Sequence, residues 1–529
     1  MRIKLIKLIE NELIKILKRK SIYILLIVSL IIIIIYNYMN PDQNANTLKI
    51  NTDDLNISLL ESGINDTQNK ISEGNSTIQS EAQTDLQDFL KDLSNNVENL
   101  ISQNVSLEFA KLYNRYEKES WQRYALNEER MGYSFGNSFS NFAYNQDISN
   151  NIKTIKDYEL NPNTQTTKEQ YDRAIEKYNS YIEVLDSNNW KEYTTYKIDS
   201  LKEEKALASE ENTKWLELEI DINQLRLDSN IEYKDDTLNT YIEEYRGSSY
   251  YLKYYESLEE KDDFTKKQIE RTNGKVSLLE YAIENNISQD ISSENYNIIT
   301  ENKIDARISF IRTFEHFNII LVVIAIYISC MIITEEINKR TIKNLLIKPH
   351  KRSTILISKM IACLVTIILS MIFICITQYI VGGLIYGFDS YTLGYIGYDF
   401  NTGEVFEINS IQFIVLEGLS KLPIYIIIIL FCIFMGTINN NTSMTMILTL
   451  IVFIVASSVI TEWSKVESLS TVFRYFITNN WDFSTYLFGG FSEIPEINLE
   501  FSIAIYAVYF IILFTSSIKI FSNKEINNK

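Results

Sequence analysis

At 529 residues, 46% apolar and 22% charged, the chain is long enough for more than one structural unit and averages two unlike parts. Residues 41–312 carry 51 Asp+Glu against 30 Lys+Arg, and the remainder carries 17 against 20, so the formal charge of −18 resides in one segment. That segment is acidic, which removes the electrostatic basis for nucleic-acid binding. The four cysteines, Cys330, Cys363, Cys375 and Cys432, all fall in apolar runs, so they imply no disulfide framework and no CxxC motif. His316 and His350 lack the spacing of metal ligands. Heavy use of Ile, Asn, Lys and Tyr points to an AT-rich bacterial genome.

In chain order, residues 1–20 read as a cytoplasmic amphipathic interface helix. Ile3, Ile6, Ile9, Leu13 and Leu17 recur at helical spacing, with Lys4, Lys7, Lys15 and Lys18 elsewhere on the surface. Residues 21–39 are a first transmembrane helix, nearly uncharged and long enough for a hydrocarbon core of ~30 Å. Its length, and YNYMNPD in place of a small-residue cleavage site, argue against a secretory signal peptide. The basic residues before it place the N-terminus inside, and residues 40–312 then lie outside. Helical spacing recurs there: Leu86, Leu90, Leu93, Val97, Leu100 and Leu107, with Asn104 as a polar gap; Tyr171, Ile175, Tyr178, Ile182 and Leu185; Leu201, Ala208, Trp215, Leu218, Ile222 and Leu225, interrupted by Glu204 and Glu211. The segment is expected to be an extracellular helical, partly coiled-coil domain, its tyrosine stripes serving as core and seam. Met131–Asn145, Pro162 and Ser187–Asn189 mark its breaks. Ile304, Ile308, Ile311 and Phe314 predict a helical stalk running unbroken into the second span.

Five further spans follow at 313–334, 354–388, 411–437, 444–460 and 501–520. Between them lie a cytoplasmic connector (335–353), an extracellular polar loop (389–410) with Gly394, Gly397 and Gly403, an extracellular aromatic segment of re-entrant character (461–500) and a cytoplasmic tail (521–529). The fold class is all-α: a six-helix transmembrane bundle plus a large extracellular helical domain. Both termini are expected in the cytoplasm of a bacterial cell, with the basic clusters inside and membrane lipid around the bundle. Glu417 and Lys421, one helical turn apart in the fourth span, sit where a central charge costs ~2.5–3.5 kcal/mol. Either they neutralise each other near the outer interface or they line a polar path.

No GxxxxGK[ST], GxSxG or HExxH is present, and Asn273-Gly274-Lys275-Val276 is too incomplete for a phosphate loop. A non-catalytic membrane protein is therefore expected, binding no cofactor or metal itself. The connector is the most specific stretch. Ile337, Thr341 and Leu345, with Ile342 and Leu346, make an apolar face on a short helix that can enter a groove of a cytosolic partner. Pro349 stops that helix before the third span.

Here the chain resembles the permease subunits of type-2 ABC exporters. The resemblance rests on Glu335 or Glu336 after the second span, Thr341-Ile342, Leu345-Leu346, Pro349, Arg352 and Ser358-Lys359. Arg340 stands where the family pattern has glycine. The amphipathic first helix, the large domain between the first two spans, the aromatic segment before the sixth and the closing Phe521…Lys524-Glu525-Ile526 add to it. The resemblance covers residues 1–40 and 313–529. It implies a permease dimer, homomeric or heteromeric, with cytosolic ABC ATPases that hold ATP and Mg and push on the connector. The docking residues would be Glu335, Glu336, Arg340, Thr341, Ile342, Leu345, Leu346, Pro349 and Arg352. The apolar spans suit outward movement of a hydrophobic or amphipathic substrate such as an antimicrobial peptide, drug or lipid. Alternatives are ABC-driven sodium export, a secondary ion transporter (which needs more intramembrane acids than Glu417), and a non-transporting receptor or scaffold whose outer domain binds a peptide or cell-wall component.

Overall fold

The computed structural model describes residues 2–39, 53–77, 86–136, 147–288, 291, 305–338, 351–439, 441–492, 494 and 496–523. The chain divides into two compact units, Met1–Ala45 with Tyr255–Leu278 and Gln289–Lys529, and Asn46–Tyr254 with Leu279–Ser288. Among the described residues the architecture is helical apart from one two-stranded hairpin.

The first unit is a multi-pass membrane bundle. After the amphipathic α1 (Arg2–Leu17), six helices among the described residues are long and apolar enough to cross a bilayer: Lys20–Met39, Ala306–Glu335, Arg352–Tyr386, Ser410–Ile438, Thr442–Ser464 and Leu499–Asn523. At a rise of ~1.5 Å per residue even the shortest matches a core of ~30 Å. The second, fourth and third spans form the centre, with 67%, 61% and 50% of their apolar windows buried, against 22%, 17% and 11% for the first, fifth and sixth. Close approach of the second and fourth uses small residues: a Cβ on Gly436 would lie 3.2 Å from Thr334 Cγ2, and one on Gly418 would lie 3.0 Å from the Phe314 ring. The first span turns Ile24, Ile27 and Ile31 outward, and the sixth turns Ile503, Ile511 and Ile512 outward, surfaces suited to lipid.

Two expectations need correction here. The approach to the second span is not an exposed stalk, and it runs on into that span through one irregular residue. A short helix, Ala306–Ile311, is buried throughout, and the chain leaves helical geometry at Arg312 (φ −88°, ψ 13°) before Thr313–Asn338. Arg307 fixes this turn in the bundle by donating from Nη1 to the Gly394 carbonyl at 3.1 Å. Likewise, the polar loop after the third span holds an antiparallel hairpin, β1 (Tyr395–Asp399) paired with β2 (Glu404–Ile408), Tyr395 opposite Ile408. Its turn closes at Gly403 with φ +75°. The fifth span contains a π-helical segment, Ile451–Ala456, which seats Phe453 against Trp481 (ring centroids 5.3 Å) and edge-on to Phe431 (5.0 Å). The aromatic segment before the sixth span folds as a short α-helix, Glu467–Phe473, and two 3-10 turns, Ile477–Asn479 and Phe483–Gly489. Residues 255–278 belong to this unit too. Lys267 Nζ donates to the Ser492 and Ile494 carbonyls at 3.0 and 3.4 Å, and Asn273 Nδ2 donates to the Tyr398 hydroxyl at 3.2 Å.

The second unit is a helical domain with an aromatic core. Tyr113, Trp121, Tyr181, Tyr193 and Tyr233 cluster with Leu126, Ile148 and Leu185. The Tyr181 and Tyr193 hydroxyls share a hydrogen bond of 3.0 Å, and the Thr194 and Tyr233 hydroxyls one of 3.1 Å, so these rings bury area without stranding their polar tips. The expected seam on Lys168–Asp186 is shifted: Ala174, Tyr181 and Leu185 are its buried residues, and Tyr171, Ile175, Tyr178 and Ile182 flank them half-buried. The repeat from Leu201 to Leu225 is not one helix. It breaks between Trp190–Leu207 and Glu210–Asp228 at Ala208 and Ser209, which leaves Leu207 exposed.

The turn after Leu160 is held by Asp157, which accepts from Asn161 Nδ2 at 2.8 Å, from Thr166 Oγ1 at 2.7 Å and from Thr164 Oγ1. Burial pushes this carboxyl up, but the three hydrogen bonds outweigh it and hold its pKa below the ordinary 3.8. A group depressed on folding stabilises above its unfolded pKa and loses that contribution as pH falls through the folded one. Protection of the Thr164 and Thr166 amides against hydrogen exchange, taken relative to the unfolded chain at the same pH, is therefore expected to be high at about pH 5 and to fall in stronger acid, where the carboxyl protonates. Asp157→Asn should be poorly protected at both. Equal protection for the variant and the native chain at the higher pH would rule the latch out.

Candidate functional site

The connector predicted as a docking element lies largely outside the described residues: Arg340, Thr341, Ile342, Leu345, Leu346 and Pro349 all do, and of Glu336 only the helical backbone is described. Its two ends are described. Glu335 lies in the last turn of the second span, and Arg352 opens the third.

These ends are tied into the bundle by polar side chains. Glu335 pairs with Arg19, which lies between α1 and the first span. Arg352 Nη1 donates to the Ser522 carbonyl at the end of the sixth span, 2.8 Å away. Thr334 and Thr442 share a hydroxyl hydrogen bond of 2.7 Å between the second and fifth spans. A fourth tie, closed off from solvent, is Glu12 with Lys359. Glu12 of α1 points into the bundle beside Leu8 and Ile16, and its Oε2 lies 2.8 Å from Lys359 Nζ of the third span; both residues are 1% exposed. Lys359 also donates to the Ile332 carbonyl of the second span at 3.4 Å, and Lys15 reaches the other Glu12 oxygen at 2.8 Å. Burial of this pair is tolerable because the ammonium and both carboxylate oxygens find hydrogen-bond partners.

The opposite end of the bundle carries two further clusters. Asn37 of the first span and Gln378 of the third exchange amide hydrogen bonds of 3.0 and 3.1 Å, and Ser309 Oγ donates to Asn37 Oδ1 at 2.7 Å. Tyr386 donates to the Asn37 carbonyl at 2.7 Å. In the fourth span Glu417 and Lys421 are both buried. Lys421 Nζ lies 3.8 Å from Glu417 Oε1 and 3.1 Å from Asp482 Oδ2 in the aromatic segment. One turn further, Tyr425 donates to Asn318 of the second span at 2.8 Å. Glu417, Lys421 and Tyr425 thus form a buried polar column about 12 Å long on one helix face.

A family model described as "Protein of unknown function (DUF2705)" matches residues 281–527. The match takes in the second to sixth spans, the connector, Lys359 and the Glu417–Lys421–Asp482 cluster, and leaves out α1 and the first span. No curated protein and no solved structure matches the chain.

Sequence reasoning found Glu417, Lys421, Glu335 and Arg352 but missed Glu12, Asn37, Gln378 and Asp482. Two signals were available: an acid on the bundle-facing side of an otherwise basic helix, and lone amides inside apolar runs, which rarely stay unsatisfied in hydrocarbon.

Proposed function

We propose that this chain is the membrane-spanning permease subunit of an ATP-driven exporter, powered by a separate cytosolic ABC ATPase that docks on residues 335–353. The observation that carries this reading is the bracing of the connector's two ends. Glu335 and Arg352 are tied to α1, the first span and the sixth, so force on the connector has rigid routes into the bundle. The sequence supplies the complementary need, since it contains no phosphate loop. On this reading the connector and both termini face the cytoplasm, and residues 40–312 and the aromatic segment face outward. The outward-turned apolar faces meet lipid or a second permease. The chain itself is non-catalytic, with ATP and Mg held by the partner. A hydrophobic or amphipathic substrate suits the spans, with Glu417, Lys421 and Asp482 as the polar points on its route.

Replacing both Leu345 and Leu346 by Asp places two charges on the docking face of the connector. The expected result is normal membrane insertion with loss of ATPase co-purification and of ATP-dependent efflux, because a desolvated charge at an interface centre removes several kcal/mol of binding. Undiminished co-purification would defeat the docking assignment.

A further inference from the structure

We infer that the Glu12–Lys359 pair is a positioning device that makes α1 and the connector-bearing ends of the second and third spans move as one body. The inference rests on the exporter reading for its purpose but on geometry for its existence. Glu12 and Lys359 are 347 residues apart in sequence and meet at 2.8 Å with almost no solvent access. Lys359 is anchored twice, to the Glu12 carboxylate and to the Ile332 carbonyl, so a single ammonium joins three helices. Three residues before Glu335, Ile332 stands at the threshold of the connector, and Lys359 stands two turns after Arg352. The second ion pair, Arg19–Glu335, clamps the far end of α1 to the same place.

An interfacial helix held only by its apolar stripe could slide along the membrane plane. Apolar packing is non-directional, whereas a buried ion pair fixes register, because moving one charge strands the other in a low-dielectric interior. Arg19, just beyond the end of α1, adds a second attachment at Glu335, so the chain leaving α1 is held as well. The pairs therefore couple α1 to the connector, and a push on either is felt by both. Glu12 and Lys359 touch no substrate on this account; they act through the elements they hold.

The test uses the full-length chain in lipid nanodiscs, spin-labelled at Asn11→Cys on the exposed face of α1 and at Lys351→Cys beside the third span. The native form should give one narrow distance distribution. Glu12→Gln and Lys359→Met should each broaden it, and Lys359→Arg, which keeps the charge and the donors to Glu12 and the Ile332 carbonyl, should leave it narrow. In membranes carrying the associated ATPase, Glu12→Gln and Lys359→Met should each lower ATP-dependent efflux about tenfold while the ATPase still co-purifies, and Lys359→Arg should keep about half or more. Narrow distances in both Glu12→Gln and Lys359→Met overturn the inference, and so does a Lys359→Arg form as broad and as inactive as Lys359→Met. Failure of the native chain to capture any ATPase would overturn the exporter reading instead, and the distance measurement would still decide the brace.

Discussion

Arg226→Met is expected to destabilise the helical domain by about 3–5 kcal/mol, the cost of stranding a buried charge by deleting its partner. Arg226 is fully buried. It pairs with Glu128, donates from Nη1 to Asn239 Oδ1 at 2.7 Å and stacks 3.9 Å above the Tyr233 ring. Arg246 lies 3.7 Å from the same Glu128 and 3.4 Å from Glu219, and Tyr250 donates to Glu219 at 3.1 Å. Burial and the neighbouring Glu219 push the Tyr250 hydroxyl well up, so it stays protonated and remains a donor. Methionine fills much of the lost volume, so packing alone does not explain a loss of this size; Glu128 loses its nearer cation and keeps only Arg246 at 3.7 Å, and Asn239 loses its donor. Arg115→Ala is the control. Its partner Asp186 is close at 2.6 Å, but both side chains are more than a third exposed, and screening leaves such a pair worth about 0–1 kcal/mol. Urea titration of the full-length protein, followed by hydrogen exchange of the Glu210–Asp228 helix, measures both. A shift for Arg226→Met no larger than that for Arg115→Ala would mean the network is not what holds these helices together.

The legible and illegible parts of this chain divide by range of interaction. Long Ile-rich runs announce spans because hydrocarbon demands continuous apolar helix, and six such helices stand among the described residues. The helical class of the second unit was equally readable, since its helices carry local periodicity. What failed was register. Ser209 followed by Glu210 and Glu211 is a helix-start signal, an N-cap residue with acids in the first turn, and it breaks the repeat that was carried through from Leu201 to Leu225. The hairpin was also signalled, by Asn401-Thr402-Gly403 between β-prone runs, and a label of polar loop hid it. The buried charges were of another kind. Glu12 is marked by its place on the apolar face of a basic helix, between Leu8 and Ile16, but its partner Lys359 lies 347 residues away. Asp482 sits in a segment noted for aromatics, and nothing local links it to Lys421. Such pairings are set by tertiary proximity, which a single sequence does not display.

That last pair gives the second large effect. Lys421→Met should release the 3-10 turn Phe483–Gly489 from the fourth span, and pairing it with Asp482→Asn should put the turn back. In the native bundle one ammonium lies between two carboxylates, Glu417 at 3.8 Å and Asp482 at 3.1 Å. Without it, two carboxylates remain in apolar surroundings, a loss on the order of 3 kcal/mol for the stranded pair. The cheapest relief is for Asp482, the more exposed of the two, to swing into water. Its side chain caps the 3-10 turn through the Ser484 amide at 3.0 Å, so the turn goes with it. Trp481, next in the chain, then leaves Phe453 and the π-helical segment of the fifth span. Asp482→Asn removes the charge that drives this movement while keeping an acceptor for the Ser484 amide, so the double variant should put the turn back, while Glu417, still a buried carboxylate without Lys421, retains part of the energetic loss. Hydrogen exchange over residues 477–490 reads the movement, and a double-mutant cycle on thermal stability in nanodiscs reads the energy. If the double variant is as loosened as Lys421→Met alone, the charge pair does not hold the segment, and the aromatic contacts of Trp481 and Phe453 must do so instead.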